Sequence, residues 1–169
     1  MVRVVIDTEI QALATRVLAA CRARQWMVAT AESCTGGLVA GALTEIAGSS
    51  DVVDRGFVTY SNAAKMALVG VPEATLAAYG AVSRQTAEAM AQGALARAPV
   101  QLSVAITGVA GPGGGSPEKP VGLVHFAAAA SANGSRLIHR EKRYGEIGRS
   151  AVRRASVIEA LSMLLELAA

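Results

Sequence analysis

Aromatic side chains are scarce in this 169-residue sequence: two Phe, three Tyr and one Trp, 4% in all. Nucleic-acid surfaces that stack bases need aromatic faces, so the scarcity argues against that function. Cysteine is scarcer still. Cys21 and Cys34 are the only two, whereas small secreted scaffolds carry a dense, paired framework; reduced thiols in a cytoplasmic setting are expected. No apolar run reaches the roughly 18 residues of a bilayer span before Arg, Glu, Gly or Ser interrupts it. The opening run from Met1 to Asp7 is too short for a signal peptide and carries no cleavage-like site, so it reads as mature protein. His125 and His139 are the only histidines, and neither has ligand partners at metal-binding spacing; no metal and no cofactor is expected. Paired carboxylates for glycoside chemistry are absent from the loops, where Glu32 stands alone.

Apolar residues are abundant, at 52% against 17% charged. A chain of this length and composition reads as one domain that buries roughly 70% of its unfolded surface, with no need of metal or disulfide staples. Net charge is +3, and the surplus is local: Arg136 to Arg154 holds seven Lys or Arg against two Glu. One basic stretch without interleaved aromatics suits an anionic small molecule better than a nucleic acid.

Periodicity supplies the elements. Ile10, Leu13, Val17, Leu18 and Cys21 recur at helical spacing behind a Thr8/Gln11 capping box, which predicts a helix over residues 9–24. Met27–Ala31 reads as a strand and Leu38–Ala47 as a helix stopped by Gly48. Asp54–Tyr60 reads as a second strand. Ser61-Asn62 caps a short helix that carries Lys65 and ends near Gly70, and Pro72 opens a helical turn through Tyr79. Ser83 caps a helix to about Arg97, and Gln101–Thr107 is a third strand. Gly108–Pro120 is too rich in Gly and Pro for regular structure. Val121–Ala130 and the alternating Arg136–Tyr144 flank Asn133-Gly134 as an antiparallel hairpin. A last helix starts near Glu146, with Ile147, Ala151, Ala155, Ile158, Leu161 and Leu165 on one stripe. Helices alternating with short apolar strands predict an α/β fold: a three-layer α/β/α sandwich with a mixed, mostly parallel sheet of about five strands. Ligands in such folds sit outside the carboxyl ends of strands.

Three loops follow the first three strands. Glu32-Ser33-Cys34-Thr35-Gly36-Gly37 joins strand to helix, which puts Ser33 at a helix N-terminus, where free N–H groups and the dipole stabilise an oxyanion or a phosphate. Ser33 is the candidate nucleophile and Cys34 its rival; the same residues also read as a plain N-cap with packing glycines. Lys65 lies one turn into an otherwise apolar helix. Burial there would pull an amine from about 10.4 towards about 7 to 8 and make it a base, while a solvated surface lysine is the other reading. Tyr60, at a strand end, reads as core or as a proton relay. The third loop lacks the Lys-Ser/Thr of a phosphate-binding Walker loop and leads into a strand, which takes weight from ATPase and NAD-dehydrogenase readings. It leaves backbone amides to line a pocket, with Thr107 as a side-chain donor. A serine far from both histidines takes a lysine or tyrosine base rather than a Ser-His-Asp triad.

The segments AESCTGG, GFVTYSNAAK and TGVAGPGGGSPEKPVG, in this order and spacing, closely resemble the CinA C-terminal domain family, and the resemblance runs from about residue 8 to the last helix. Stand-alone members of that family are nicotinamide-nucleotide amidohydrolases. The resemblance therefore implies hydrolysis of the carboxamide of nicotinamide mononucleotide (NMN) to nicotinate mononucleotide and ammonia, in pyridine nucleotide recycling, without metal or cofactor. It implies catalytic roles for Ser33, Tyr60, Lys65 and Thr107, and matches the family's arginine to Arg149. Substrate contacts are expected from Glu32, Cys34, Thr35, Gly36, Gly37, Gly108, Gly111 and Arg149. Which of these meets the phosphate and which the oxyanion stays open, as does whether Lys65 or Tyr60 is the immediate base; Arg153 joins Arg149 as a candidate for the phosphate. The competing reading is a non-catalytic nucleotide-binding or interaction module of competence or DNA-damage responses, against which the intact Ser33, Tyr60 and Lys65 set argues. Ala-rich helices suggest a homodimer or higher homo-oligomer, and neither nucleic acid nor membrane is an expected partner.

Overall fold

The computed structural model describes residues 6–169, so most of the N-terminal apolar run lies outside the described residues. Helix α1 (Thr8–Arg24) is capped by Asp7, whose carboxylate accepts from the Ile10 N–H at 3.1 Å. Thr8 is thus the first helical residue and not the cap, because a carboxylate one position earlier already holds the N-terminal amide. Strand β1 (Val28–Glu32) is buried throughout and leads through a turn to α2 (Leu38–Thr44). Helix α2 stops before Ala47; Gly48, at φ 81°, caps a separate 3₁₀ turn over Ser49–Asp51. Strand β2 (Val53–Val58) precedes α3 (Asn62–Val69), α4 (Glu73–Tyr79) and α5 (Arg84–Arg97), with Pro72 just outside α4 as its N-cap. Then come β3 (Leu102–Gly108), β4 (Leu123–Ala130), β5 (Arg136–Arg143) and α6 (Arg149–Ala168).

One five-stranded sheet in the order β2-β1-β3-β4-β5 carries the fold. Strand β1 is parallel to both β2 and β3, whereas β4 pairs antiparallel with β3 and with β5, so β4 alone runs against the other four. Connections that contain helices bring the chain back to the same end of the sheet for β2 and β3. The Gly-rich loop after β3 contains no helix, so β4 can only turn back on itself. Asn133 and Gly134 both adopt positive φ (58° and 85°), which closes the β4–β5 hairpin as the sequence suggests.

Helices α1, α2 and α6 cover one face of the sheet over a core of Val28, Leu102, Val104, Ile106, Val124 and Phe126. Helices α3, α4 and α5 cover the other, where the strands present Ala29, Ala31, Ala105, Ala127 and Ala129. This is the three-layer sandwich. Alanines on the second face let α5 lie close to the sheet, and Gly93 lets α3 lie close to α5: a Cβ there would stand 1.8 Å from the Val69 carbonyl oxygen. Helix α6 begins at Arg149 behind Gly148, three positions after the Glu146 that the sequence suggests. Its buried stripe is Val152, Val157, Ala160, Leu161 and Leu164, and Ile147 and Ala151 are exposed. Gly148, at φ 100°, is the N-cap at which the helix starts, and packing on α1 and the sheet selects the buried face. Among the described residues no helix is long and apolar enough to cross a membrane.

Candidate active site

The carboxyl ends of β1, β2 and β3 lie side by side and bring the three loops together. Ser33 directly follows β1, and its N–H donates to the Ile106 carbonyl at 2.9 Å, which extends the β1–β3 ladder by one rung. The turn closes with the Gly36 N–H on the Ser33 carbonyl at 3.0 Å, and Gly36 and Gly37 take positive φ (58° and 99°), a conformation that favours glycine. Ser33 therefore sits at a strand end and not on the first turn of α2, whose N-cap is Gly37. The early amides of that helix are already engaged: Glu32 Oε1 accepts from the Val39 N–H at 2.8 Å and Oε2 from the Ala40 N–H at 3.1 Å. Glu32, offered by the sequence as a substrate contact, is a buried counter-charge to the α2 dipole and does not line the cavity.

Lys65 is 1% exposed, and Ser33 is 8% exposed. Helix α3 starts under the Ser61 cap, whose hydroxyl accepts from the Ala64 N–H at 3.0 Å, and points Lys65 inward under the β1 and β2 ends. Lys65 Nζ stands 3.0 Å from Ser33 Oγ, 2.8 Å from the Thr59 carbonyl oxygen and 3.4 Å from that of Tyr60. Burial holds its pKa below the ordinary lysine value; the neighbouring Cys34 opposes this more weakly. Nζ has three oxygens within reach, the Ser33 hydroxyl and the two carbonyls; in the neutral amine two hydrogens serve the carbonyls and the lone pair is left for the serine hydroxyl.

A cavity of about 310 Å³ opens above this pair, lined by Ser33, Cys34, Lys65, Thr107, Gly108 and Gly111, with Tyr60 and Arg149 also in its wall. Tyr60 is 61% exposed, and its phenol accepts from Arg149 Nη2 at 3.0 Å while Arg149 Nη1 donates to the Gly111 carbonyl at 2.8 Å. The Tyr60 ring is a wall shared with Arg149, and Lys65 reaches Ser33 without it. Thr107, buried at the end of β3, donates its hydroxyl to the Ala81 carbonyl at 2.8 Å and so holds the Ala81–Val82 segment in the cavity wall. That segment carried no signal in the sequence beyond the gap between two helices. Cys34 also lines the cavity, and burial pushes its thiol up to about 11, which keeps it protonated and weakly nucleophilic.

Thr35, Gly36 and Gly37 do not line the cavity; they shape the turn behind it. Thr35 is fully buried, and its Oγ1 has no hydrogen-bond partner among the described residues. Arg153, four residues and one helical turn after Arg149, donates from Nε to the Cys34 carbonyl at 3.2 Å and from Nη2 to the Thr35 carbonyl at 3.5 Å. It is a buttress of the turn, outside the cavity. His125, registered on β4 opposite Thr107, and His139 on β5 do not line this cavity, and Nδ1 of the first stands 2.9 Å from Nε2 of the second.

Two proteins named nicotinamide-nucleotide amidohydrolase PncC are similar to this chain over nearly their whole length. That of Enterobacter agglomerans is 48% identical over 159 residues, 94% of this chain and 95% of that protein. The Escherichia coli (strain K12) protein is 51% identical over 158 residues, 94% of each. The crystal structure of the competence/damage inducible protein CihA from Agrobacterium tumefaciens superposes with a TM-score of 0.93 at 59% identity, covering 96% of this chain and 97% of that one. Fold, cavity and relatives together define an amidohydrolase. The chain belongs to the CinA C-terminal domain family, whose domain matches residues 10–168.

Proposed function

We propose that this chain, acting as a single domain in the cytoplasm, hydrolyses the carboxamide of NMN to nicotinate mononucleotide and ammonia within pyridine nucleotide recycling. The observation that carries the reading is the buried contact of 3.0 Å between Lys65 Nζ and Ser33 Oγ at the cavity floor. Neutral Lys65 takes the hydroxyl proton as Ser33 Oγ bonds to the carboxamide carbon, giving a tetrahedral adduct with its charge on oxygen. The Cys34 N–H, on the residue of the turn that lines the cavity, serves that oxyanion. Thr107, with its proton already on Ala81, holds the wall instead. Collapse of the adduct breaks the C–N bond, and Lys65 returns its proton to the leaving nitrogen to give ammonia and an acyl-serine. Water then adds to the ester carbon with Lys65 again taking its proton, the C–O bond to Ser33 breaks as Lys65 returns that proton to Oγ, and the product acid leaves as its carboxylate with its proton passing to solvent. Arg149, at the cavity wall, is the cation for the substrate phosphate. The protein works as a homodimer or higher homo-oligomer and without nucleic acid.

Ammonia release tests this reading on NMN against nicotinamide, nicotinamide riboside and NAD. Wild-type protein should turn over NMN, and Ser33→Ala should lose that activity with its thermal midpoint kept. Full activity in Ser33→Ala together with its loss in Cys34→Ala would transfer the nucleophile to the thiol. No turnover of any of the four by the wild type would leave a binding module.

A further inference from the structure

We infer that Lys119 is a positioning residue for the phosphate side of the cavity: it buckles the far end of the Gly-rich loop to the end of α4 and so holds the loop, and through it Arg149, in place. The inference rests on the role proposed above for Arg149 as the cation for the substrate phosphate. Residues 109–120 have no regular structure, yet Ala110, Gly111, Gly113 and Gly114 form part of the cavity wall. Glycines offer no side chains to pack, so this wall needs anchors from outside them.

The anchors lie at the two ends of the loop, and both reach the connection between α4 and α5. Three consecutive carbonyls there are each held by a side chain. Thr107, just before the loop, donates its hydroxyl to the Ala81 carbonyl at 2.8 Å. Lys119, near the end of the loop, donates from Nζ to the Tyr79 carbonyl at 2.5 Å. The Gly80 carbonyl between them accepts from Ser83 Oγ at 3.0 Å and from Thr86 Oγ1 at 2.7 Å, which ties the connection to α5 in turn. Tyr79 is the last residue of α4, where carbonyls lack helical partners and attract cations. Gly80 leaves the space for the ammonium group, since a Cβ there would stand 2.6 Å from Lys119 Nζ. A tight turn sets Lys119 itself: its N–H donates to Ser116 Oγ at 3.1 Å, and its carbonyl accepts from the Ser116 N–H at 2.9 Å.

From this buckle the placement of the loop passes to the site through Val121, two residues on. A Cβ on Gly111 would stand 2.5 Å from Val121 Cγ1, and one on Gly115 2.8 Å from the Val121 nitrogen, so both glycines lie directly against it. The Gly111 carbonyl in turn accepts from Arg149 Nη1 at 2.8 Å. Release of Lys119 frees the end of the loop beside Val121, and with it the carbonyl that aims the Arg149 guanidinium. Ser33 and Lys65 stand on other loops and keep their contact.

Lys119→Met keeps the stem and removes the donor. KM for NMN should rise about tenfold, the lower end of what one hydrogen bond to a charged group contributes, with kcat within about twofold of the wild type and the thermal midpoint kept. Hydrogen exchange, read by mass spectrometry on the unliganded protein, should quicken in peptides covering residues 109–120 and stay unchanged in the strands. Arg84→Met is the control for charge alone, because Arg84 lines the same neighbouring cavity as Lys119 and pairs with Glu88 on its own helix. Its KM should stay at the wild-type value. An unchanged KM in Lys119→Met overturns the inference, as does an equal rise in Arg84→Met, which would leave Lys119 only a share in the positive field. A fall in kcat at constant KM, or faster exchange spread over the whole chain, overturns it in favour of a general prop. Absence of NMN turnover by the wild type overturns the deamidase reading alone. Exchange then decides for Lys119: a quickening confined to the loop upholds its role, and an unchanged loop overturns it.

Discussion

In the proposed mechanism Lys65 is the base, and its burial has a consequence for stability as well as for rate. Its folded pKa is lowered, with desolvation the main cause, so between the folded and unfolded values the unfolded chain binds more protons than the folded one. Stability then rises with pH across that window, and the term is complete only above the ordinary lysine value of about 10.4. Lys65→Met removes it. Relative to the variant, the wild type should therefore gain in thermal midpoint as pH rises from about 6 to about 10, a slope readable by scanning calorimetry at matched ionic strength. A flat difference would mean that the amine is charged in both states. The same substitution should lower turnover of NMN by about 10²–10⁴-fold, the usual contribution of a positioned base. Of this pair the sequence shows the residue types and the loops, because a lone lysine on an apolar helix and a serine before two glycines are visible as patterns. It does not show their contact, since 32 residues separate Ser33 from Lys65 and only the parallel pairing of β1 with β2 brings their loops together. Tyr60 illustrates the converse. A phenol at a strand end looks like a relay, yet its neighbour in space is Arg149, 89 residues on.

Elements decide what a polar residue is for, and Glu32 is the clearest case. In sequence it belongs to the cluster that follows β1 and reads as a ligand contact. That reading assumes that α2 begins at the cluster, whereas the helix begins at Leu38 and the carboxylate reaches forward to its first amides. Glu32→Ala leaves the Val39 and Ala40 N–H groups without their carboxylate, at a cost of about 1–3 kcal/mol for each buried group. A total loss of about 2–6 kcal/mol, or about 4–24 °C in Tm, should follow in urea and thermal melts. KM for NMN in the folded fraction should not move; a large rise in KM at unchanged stability would return Glu32 to the substrate. Element boundaries that depend on local chemistry were legible: the Ser83 cap of α5, the Asn133-Gly134 hairpin and the Gly70 end of α3 each follow from one or two residues. Boundaries that depend on tertiary space were not. Helix α2 gives way early to a 3₁₀ turn, and the face of α6 that packs on α1 and the sheet carries Val152 and Val157 and not Ala151 and Ala155.

At the scale of the whole molecule, the mean charge conceals how the cations are used. The basic surplus between Arg136 and Arg154 looks in sequence like one positive stretch, but folding distributes it over two structural tasks and the site. Arg140 bridges to Glu159 and Glu166 and Lys142 to Glu159 at 3.6 Å, which ties the β5 edge to α6, while Arg143 pairs with Glu141 at 3.4 Å within β5 itself. Arg154 binds Asp7 and Glu9, both at 2.6 Å, and so fastens α6 to the start of α1. Arg136 donates to the Leu167 carbonyl. Arg149 and Arg153, like Arg136, have no carboxylate partner among the described residues, and these two are turned towards the candidate site. Nucleic-acid affinity depends on cations free to displace counterions from phosphates, about one ion released for each contact. A molecule that has matched its basic stretch with its own acids has few to offer. Fluorescence anisotropy with a labelled 20-base-pair duplex should give binding no tighter than about 10⁻⁴ M at 150 mM salt, the weak end of non-specific association. Between 50 and 200 mM salt the affinity should fall by less than about tenfold, where a protein with 6–10 phosphate contacts loses about 10³–10⁵. A steep salt dependence would show that these ion pairs open readily in solution, and would make the β5–α6 surface a second binding face.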